Sequence, residues 1–204
     1  MNQLIDESNE YNDTELNLEF VNLGDISAKL LADEFRNDKL KKLTTLILEA
    51  CNIGEEGIKS IAKELYHLKS LEELNFTSNK FGSNGGIALA NILSKLTSLK
   101  GLYIDENNLG LYASIAIVNE IKHLHQLYTI NLSNNSIGDE GAKAIIDIYL
   151  SKNTRGKVIN IARGHEISIK DLIELIMKIM HCKLKINSLW CPGETLLAMV
   201  GSLK

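Results

Sequence analysis

Residues 71–82, LEELNFTSNKFG, carry the pattern that decides the fold. The same pattern, LxxLxLxxNxLG, returns at residues 99–110 (LKGLYIDENNLG) and 127–138 (LYTINLSNNSIG), so its period is 28 residues. A fourth copy at residues 43–54 (LTTLILEACNIG) has Cys51 where the others have asparagine. Self-similarity at a fixed period of this size indicates a repeat architecture in which neighbouring units stack.

Each copy of the pattern predicts a short strand followed by a turn. Alternation places both leucines of LxL on the inner face of the strand. The asparagine or cysteine turns inward, where its side chain can bond backbone groups that the turn leaves unpaired. A glycine closes every copy and suits the bend after the strand; these are Gly54, Gly82, Gly110 and Gly138.

The residues between the copies predict a helix that returns the chain. Apolar residues recur there three and four positions apart, as in Ile61, Ala62 and Leu65, and form one buried stripe. One strand and one helix per 28 residues predict an α/β solenoid. Its curved parallel sheet lies on the concave side and its helices lie on the convex side.

The NxIGxxG element at residues 135–141 and the exchange of Asn for Cys in one slot resemble the ribonuclease-inhibitor type of leucine-rich repeat. The resemblance implies a leucine-rich-repeat solenoid of about 6–7 repeats of about 28 residues, because weaker copies flank the strong ones. We expect residues 14–204 to form a single domain whose degenerate capping repeats cover about 155–204.

The two ends of the chain differ in charge. Residues 1–28 hold seven acids and no Lys or Arg, whereas residues 151–204 hold nine Lys or Arg and four acids. Residues 1–13 either lie over the first repeat or stay mobile, and their polar composition favours a mobile acidic segment. The net charge of −4 argues against nucleic acid as the main partner.

The sequence lacks the motifs of common chemical sites, so we expect no enzymatic activity, no cofactor and no metal. No GK[ST] follows Gly85 and Gly86, and neither CxxC nor HExxH occurs. The slot of Cys51 predicts a buried structural thiol rather than a nucleophile. His67 and His123 share their repeat slot with lysines, which favours a role at helix ends over metal binding.

Cysteine usage predicts the compartment. The chain has three widely spaced cysteines, Cys51, Cys182 and Cys191, and its start lacks the features of a signal peptide. We therefore expect reduced thiols in the cytoplasm. No run of about 18 apolar residues occurs, so we expect no membrane span.

The outward positions of LxxLxLxx predict the functional surface, because side chains alternate along a strand. Acids with interspersed aromatics are typical of protein-binding patches, although any solenoid must place polar residues on this face. The predicted partner-binding residues are Glu19, Glu49, Glu73, Asn75, Thr77, Tyr103, Asp105, Glu106, Tyr128, Asn131, Ser133 and Arg163.

An acidic concave face favours a partner protein with a basic patch. The ribonuclease inhibitors that the repeats resemble block basic enzymes in this way, which implies a monomeric regulator or inhibitor. The short array, rich in Asn, Lys and Ile, is also similar to repeat effectors that intracellular bacteria deliver into the host cytoplasm. Two alternatives stay open: the targeting part of an enzyme such as a ubiquitin-ligase-type effector, and a nucleotide or small-molecule site near Lys183, Lys185 and Trp190.

Overall fold

The computed structural model describes residues 14–151 and 158–160, with side chains up to residue 145. Within this part, six three-residue strands alternate with five helices. The strands are β1 (Glu15–Asn17), β2 (Thr45–Ile47), β3 (Glu73–Asn75), β4 (Gly101–Tyr103), β5 (Thr129–Asn131) and β6 (Val158–Asn160). The helices are α1 (Gly24–Glu34), α2 (Glu55–Glu64), α3 (Gly82–Leu93), α4 (Gly110–Ile121) and α5 (Gly138–Ser151).

Some sequence predictions concern residues outside the described part. These are the acidic segment 1–13, the capping repeats beyond β6, the predicted contact residue Arg163, the cysteines Cys182 and Cys191, and the alternative site near Lys183, Lys185 and Trp190.

The strands form one parallel sheet in chain order, and the repeat pattern sets its register. Leu46 pairs with Leu74 and Leu74 pairs with Leu102, so equivalent positions lie side by side. The sequence separation of paired residues differs from 28 only at the two ends of the described sheet, where Leu16 pairs with Leu46 and Ile130 pairs with Ile159. The predicted leucine-rich-repeat α/β solenoid is thereby confirmed.

One apolar core runs through the stacked repeats, between the sheet and the helices. The central residue of each of the first five strands is buried, and so is the apolar stripe of every helix as far as side chains are described. Burying one such leucine or isoleucine contributes about 1.5–3 kcal/mol. Phe76 and Phe81 meet edge to face in the third repeat, with ring centroids 6.3 Å apart.

The glycines that close the strand copies are not all alike. Gly82, Gly110 and Gly138 have φ values of 62°, 68° and 70°, a region that favours glycine. Gly54 instead has an extended backbone with φ −93°. Its N–H donates to the Asp25 carboxylate at 2.7 Å, so an acid from the first repeat sits at the N-terminus of α2.

Two adjacent glycines let α3 approach both of its neighbours closely. A Cβ on Gly85 would lie 2.5 Å from Ile58 Cγ2 of α2, and a Cβ on Gly86 would lie 2.8 Å from Ala113 Cβ of α4. Both distances are shorter than van der Waals contact, so larger residues do not fit in this geometry. The packing of the helices therefore accounts for the Gly85–Gly86 pair.

An ion pair joins the ends of the first two helices. Glu64 is only 4% exposed, and its carboxylate accepts from Arg36 Nη2 at 2.6 Å and from Nε at 2.9 Å. The Arg36 guanidinium holds the pKa of Glu64 below its ordinary value. His67 Nε2 lies 3.4 Å from the same carboxylate, at the turn that follows α2, as its repeat slot predicts.

Candidate functional site: the concave face

The concave face is the side of the sheet turned away from the helices. Because the strands are in register, each outward repeat position forms a row of side chains across the sheet. The first row holds Glu15, Thr45, Glu73, Gly101 and Thr129; the second holds Asn17, Ile47, Asn75, Tyr103 and Asn131; the third, just past the strands, holds Glu19, Glu49, Thr77, Asp105 and Ser133.

Neutral side chains from neighbouring repeats donate hydrogen bonds to carboxylates of this face. Asn75 Nδ2 donates to Glu49 Oε2 at 2.9 Å, and Thr77 Oγ1 donates to Asp105 Oδ1 at 2.8 Å. Ser78 Oγ donates to Glu106 Oε2 at 2.9 Å. Each bond crosses from one strand end to the next, so the acids are oriented without being neutralised.

The concave acids have no cation beside them within the described part of the chain. The ion pairs found there belong to helices or to the helix-to-strand connections, for example Lys59–Glu55 and Lys100–Glu72. By contrast, no ion pair among residues 14–145 involves the six concave carboxylates, which are Glu15, Glu19, Glu49, Glu73, Asp105 and Glu106. The face thus presents uncompensated negative charge.

Asp105 is the most perturbed of these acids. Burial raises the pKa of its carboxyl, and the negative charges of Glu106 and Glu49 raise it further, although the bond from Thr77 opposes the rise. The folded state therefore disfavours the ionised form of the Asp105 carboxyl. Perturbed carboxylates of this kind are more frequent at functional sites than elsewhere.

We expect Asp105→Asn to raise the free energy of unfolding at pH 7. The folded state binds the Asp105 proton more tightly than the unfolded state does, because the folded pKa lies above the ordinary value of 3.8. Above the folded pKa, the ionised carboxylate therefore lowers the free energy of unfolding. The advantage of the variant should shrink as pH falls through the folded pKa and vanish below 3.8. Urea unfolding at several pH values tests this, with Asp33→Asn on the exposed side of α1 as control; equal stabilisation by both variants would contradict it.

The three aromatic residues of the concave side differ in environment. A Cβ built on Gly101 would lie 3.1 Å from Tyr103 Cε2, so the Tyr103 ring folds back over the space that Gly101 leaves. Burial raises the pKa of Tyr103, and the nearby Glu73 carboxylate adds to the rise. Tyr128 and Phe20 project instead, with 56% and 72% of their surface exposed.

The structure brings most of the predicted contact residues onto one face. Glu19, Glu73, Glu106 and Tyr128 are exposed, and Glu49, Asn75, Thr77, Tyr103, Asp105 and Asn131 are partly buried. Ser133 differs from the others because it is buried, and its hydroxyl donates to Asn131 Oδ1 at 2.8 Å. Asn75 and Asn131 also accept backbone N–H groups two residues later, at 2.8 and 3.1 Å.

The part that Gly101 plays on the concave face was not predicted from the sequence. Glycine at an outward strand position often marks the close approach of another group, and that signal was present in the sequence. Here the approaching group is the ring of Tyr103, two residues along the same strand. The glycine therefore shapes the concave face without contributing a side chain to it.

The inward slot of the repeat is structural, as predicted. Asn79, Asn107 and Asn135 are buried and donate to backbone carbonyls of their own and the preceding repeat. Cys51 Sγ donates to the Leu18 carbonyl at 3.0 Å, and burial raises the pKa of its thiol to about 12. A thiol with so high a pKa is not a nucleophile at neutral pH.

Within residues 14–151 and 158–160, no group of three or more His, Cys, Asp or Glu residues could hold a metal ion. No helix in the same ranges has the length and apolar character needed to cross a membrane.

Three segments of the chain match the Leucine Rich repeat family model: residues 39–62, 67–90 and 123–145. Each segment includes one strand and most of the helix that follows it. No curated protein matches the chain. Leucine-rich repeats generally mediate protein–protein interaction and are typically binding modules rather than enzymes. The family match over these three segments and the register of the sheet together show that the described part of the chain folds as a leucine-rich-repeat α/β solenoid.

Proposed function

We propose that the concave face binds a partner protein through a basic patch on that partner, and that binding regulates or inhibits it. One observation carries the proposal: six carboxylates share this face and none of them forms an ion pair within residues 14–145. Lysine or arginine side chains of a partner would supply the missing positive charge.

A functional origin for this arrangement is favoured on energetic grounds. A partly buried carboxylate without a cation destabilises the fold, and burial raises the pKa of Asp105 in this way. Residues that lower stability are expected where function needs them. Oriented like charges also create a field that raises the rate at which a basic protein associates.

The test compares the wild type with Glu73→Lys plus Asp105→Lys. A pull-down with each form as bait, followed by mass spectrometry, identifies proteins that only the wild type retains. For such a partner we expect association to be about tenfold slower with the variant at low ionic strength, with a smaller difference at high salt. Stopped-flow or surface-plasmon-resonance measurements give both rates.

The matched control is Asp33→Lys plus Glu140→Lys, which reverses two exposed charges on α1 and α5, away from the concave face. This control has the same net charge as the test variant and should associate nearly as fast as the wild type. Equal slowing by both double variants would mean that net charge, and not the position of the acids on the concave face, sets the association rate. An unchanged rate for the concave variant at low salt would remove the proposal.

We also propose that the module acts as a monomer in a reducing compartment, which fits the cytoplasm. Support comes from Cys51, a buried free thiol. The similarity to bacterial effectors and the alternative of an enzyme's targeting part stay predictions from the sequence.

A further inference from the structure

Phe20 has an unusual combination of backbone conformation and exposure. Its φ is 63°, in the left-handed region, and 72% of its surface is exposed. Left-handed backbone is uncommon for residues other than glycine, asparagine and aspartate, and it is least favourable for bulky side chains. A phenyl ring that stays exposed also adds little stability on folding, because apolar side chains stabilise a fold by leaving water.

The repeat, not the phenylalanine, dictates this backbone conformation. The Phe20 N–H donates to the Glu49 carbonyl at 2.9 Å, and the Val21 N–H donates to the Leu18 carbonyl at 3.0 Å. Equivalent positions in the other repeats have the same left-handed backbone but small or polar side chains; they are Ala50, Ser78, Glu106 and Asn134. Among these five repeats, the first alone places a large apolar side chain there.

The surroundings of Phe20 connect it to the acidic surface. Glu19 precedes it and is exposed, and Glu49 lies across the strand gap, where its carbonyl receives the Phe20 N–H. The next residue along the row is Ala50, whose methyl group is too small to cover a phenyl ring. Phe20 is thus an exposed aromatic ring whose backbone lies next to Glu19 in sequence and Glu49 across the sheet, and neither acid forms an ion pair within residues 14–145.

We infer that Phe20 is the apolar anchor of the concave surface and packs against an apolar group of the partner that lies beside basic residues. The inference rests on the proposed function, and it adds a second chemical requirement on the partner. Aromatic anchors flanked by polar groups dominate the energetics of many interfaces. The ring also loses little conformational freedom on binding, because only two torsions are fixed.

Phe20→Asn tests the inference, because asparagine tolerates left-handed backbone and occupies the equivalent position at Asn134. Without a partner, the variant should have a higher thermal midpoint than the wild type. A lower midpoint would mean that the chain itself covers the ring, and it would overturn the inference. Phe20→Ser, which copies Ser78, repeats the measurement with a second side chain.

The binding probe is a random 12-residue peptide library displayed on phage. Wild type should enrich peptides that combine Lys or Arg with an aromatic or branched aliphatic residue. Phe20→Asn should keep the basic preference, lose the apolar one, and bind the peptides selected by wild type at least tenfold more weakly. Ile26→Asn removes an equally exposed apolar residue, 82% exposed on α1, and should select the same peptides as the wild type.

The outcomes separate this inference from the proposed function. Selection of the same peptides by Phe20→Asn and wild type, with equal affinity, would overturn the role of Phe20 alone. Selection of the same basic peptides by the Glu73→Lys plus Asp105→Lys variant would instead remove the acidic-face proposal. Loss of affinity in both Phe20→Asn and Ile26→Asn would point to general apolar binding and overturn the anchor.

Discussion

Replacing Asn135 with alanine is expected to lower the free energy of unfolding by about 3–5 kcal/mol, because several buried backbone groups would lose their partner at once. Asn135 Nδ2 donates to three carbonyls at 2.8–3.2 Å, those of Ile104, Leu132 and Ser133. Its Oδ1 accepts the backbone N–H groups of Asn107 and Leu109 at 2.9 and 3.3 Å. Water cannot easily replace these bonds, since Asn135 is 1% exposed.

Urea unfolding followed by far-UV circular dichroism measures this loss. Asn91→Ala, at an exposed position of α3, controls for removal of an amide and should change stability little. Asn135→Cys should lose less than Asn135→Ala, because Cys51 shows that a thiol in this slot still donates to a carbonyl at 3.0 Å. A loss below about 1 kcal/mol for Asn135→Ala would contradict the role given to the slot.

Replacing Gly86 with valine should lower the free energy of unfolding by about 2–3 kcal/mol through overpacking between α3 and α4. The new Cβ would lie 2.6 Å from Leu109 Cδ2 and 2.8 Å from Ala113 Cβ. The leucine end can rotate, but the alanine Cβ moves only with its helix. Helix propensity predicts the opposite sign, since glycine is the poorer helix former.

The sign of the change therefore decides between packing and propensity. Asn91→Val places the same β-branched residue at an exposed position of α3 without the clash, and it should change stability little because asparagine and valine have similar helix propensities. Thermal or urea unfolding of the two variants gives the difference. A Gly86→Val protein as stable as the wild type would show that α4 can move away at little cost, and it would contradict the packing argument.

The sequence was sufficient for the architecture because the repeat records it many times. LxL alternation, the inward asparagine and the helical stripe recur with one period, and tertiary packing repeats with them. Gly54 shows where the repeat pattern does not predict the local backbone. It matches Gly82 in the pattern, but Asp25 of the first repeat binds its N–H and the backbone there is extended.

The site was less predictable, because strand alternation gives only the side of the sheet on which a residue lies. Ser133 and Asp105 share a row, yet Ser133 is buried beside Asn131 whereas the Asp105 carboxylate accepts from Thr77. Rotamers and neighbours in the adjacent repeat decide such differences. The space over Gly101 and the left-handed backbone of Phe20 likewise depend on three-dimensional context.

The asparagine slot couples the repeats in one direction along the chain. Asn79 Oδ1 accepts the Ile53 N–H, and Asn135 Oδ1 accepts the Asn107 N–H, so these two asparagines hold the turn of the repeat before them. Cys51 has no amide oxygen with which to hold the first turn. In a one-dimensional array, where order propagates between nearest neighbours, the junction between the first two repeats depends instead on the Cys51 thiol, the Asp25 carboxylate and the Arg36–Glu64 ion pair.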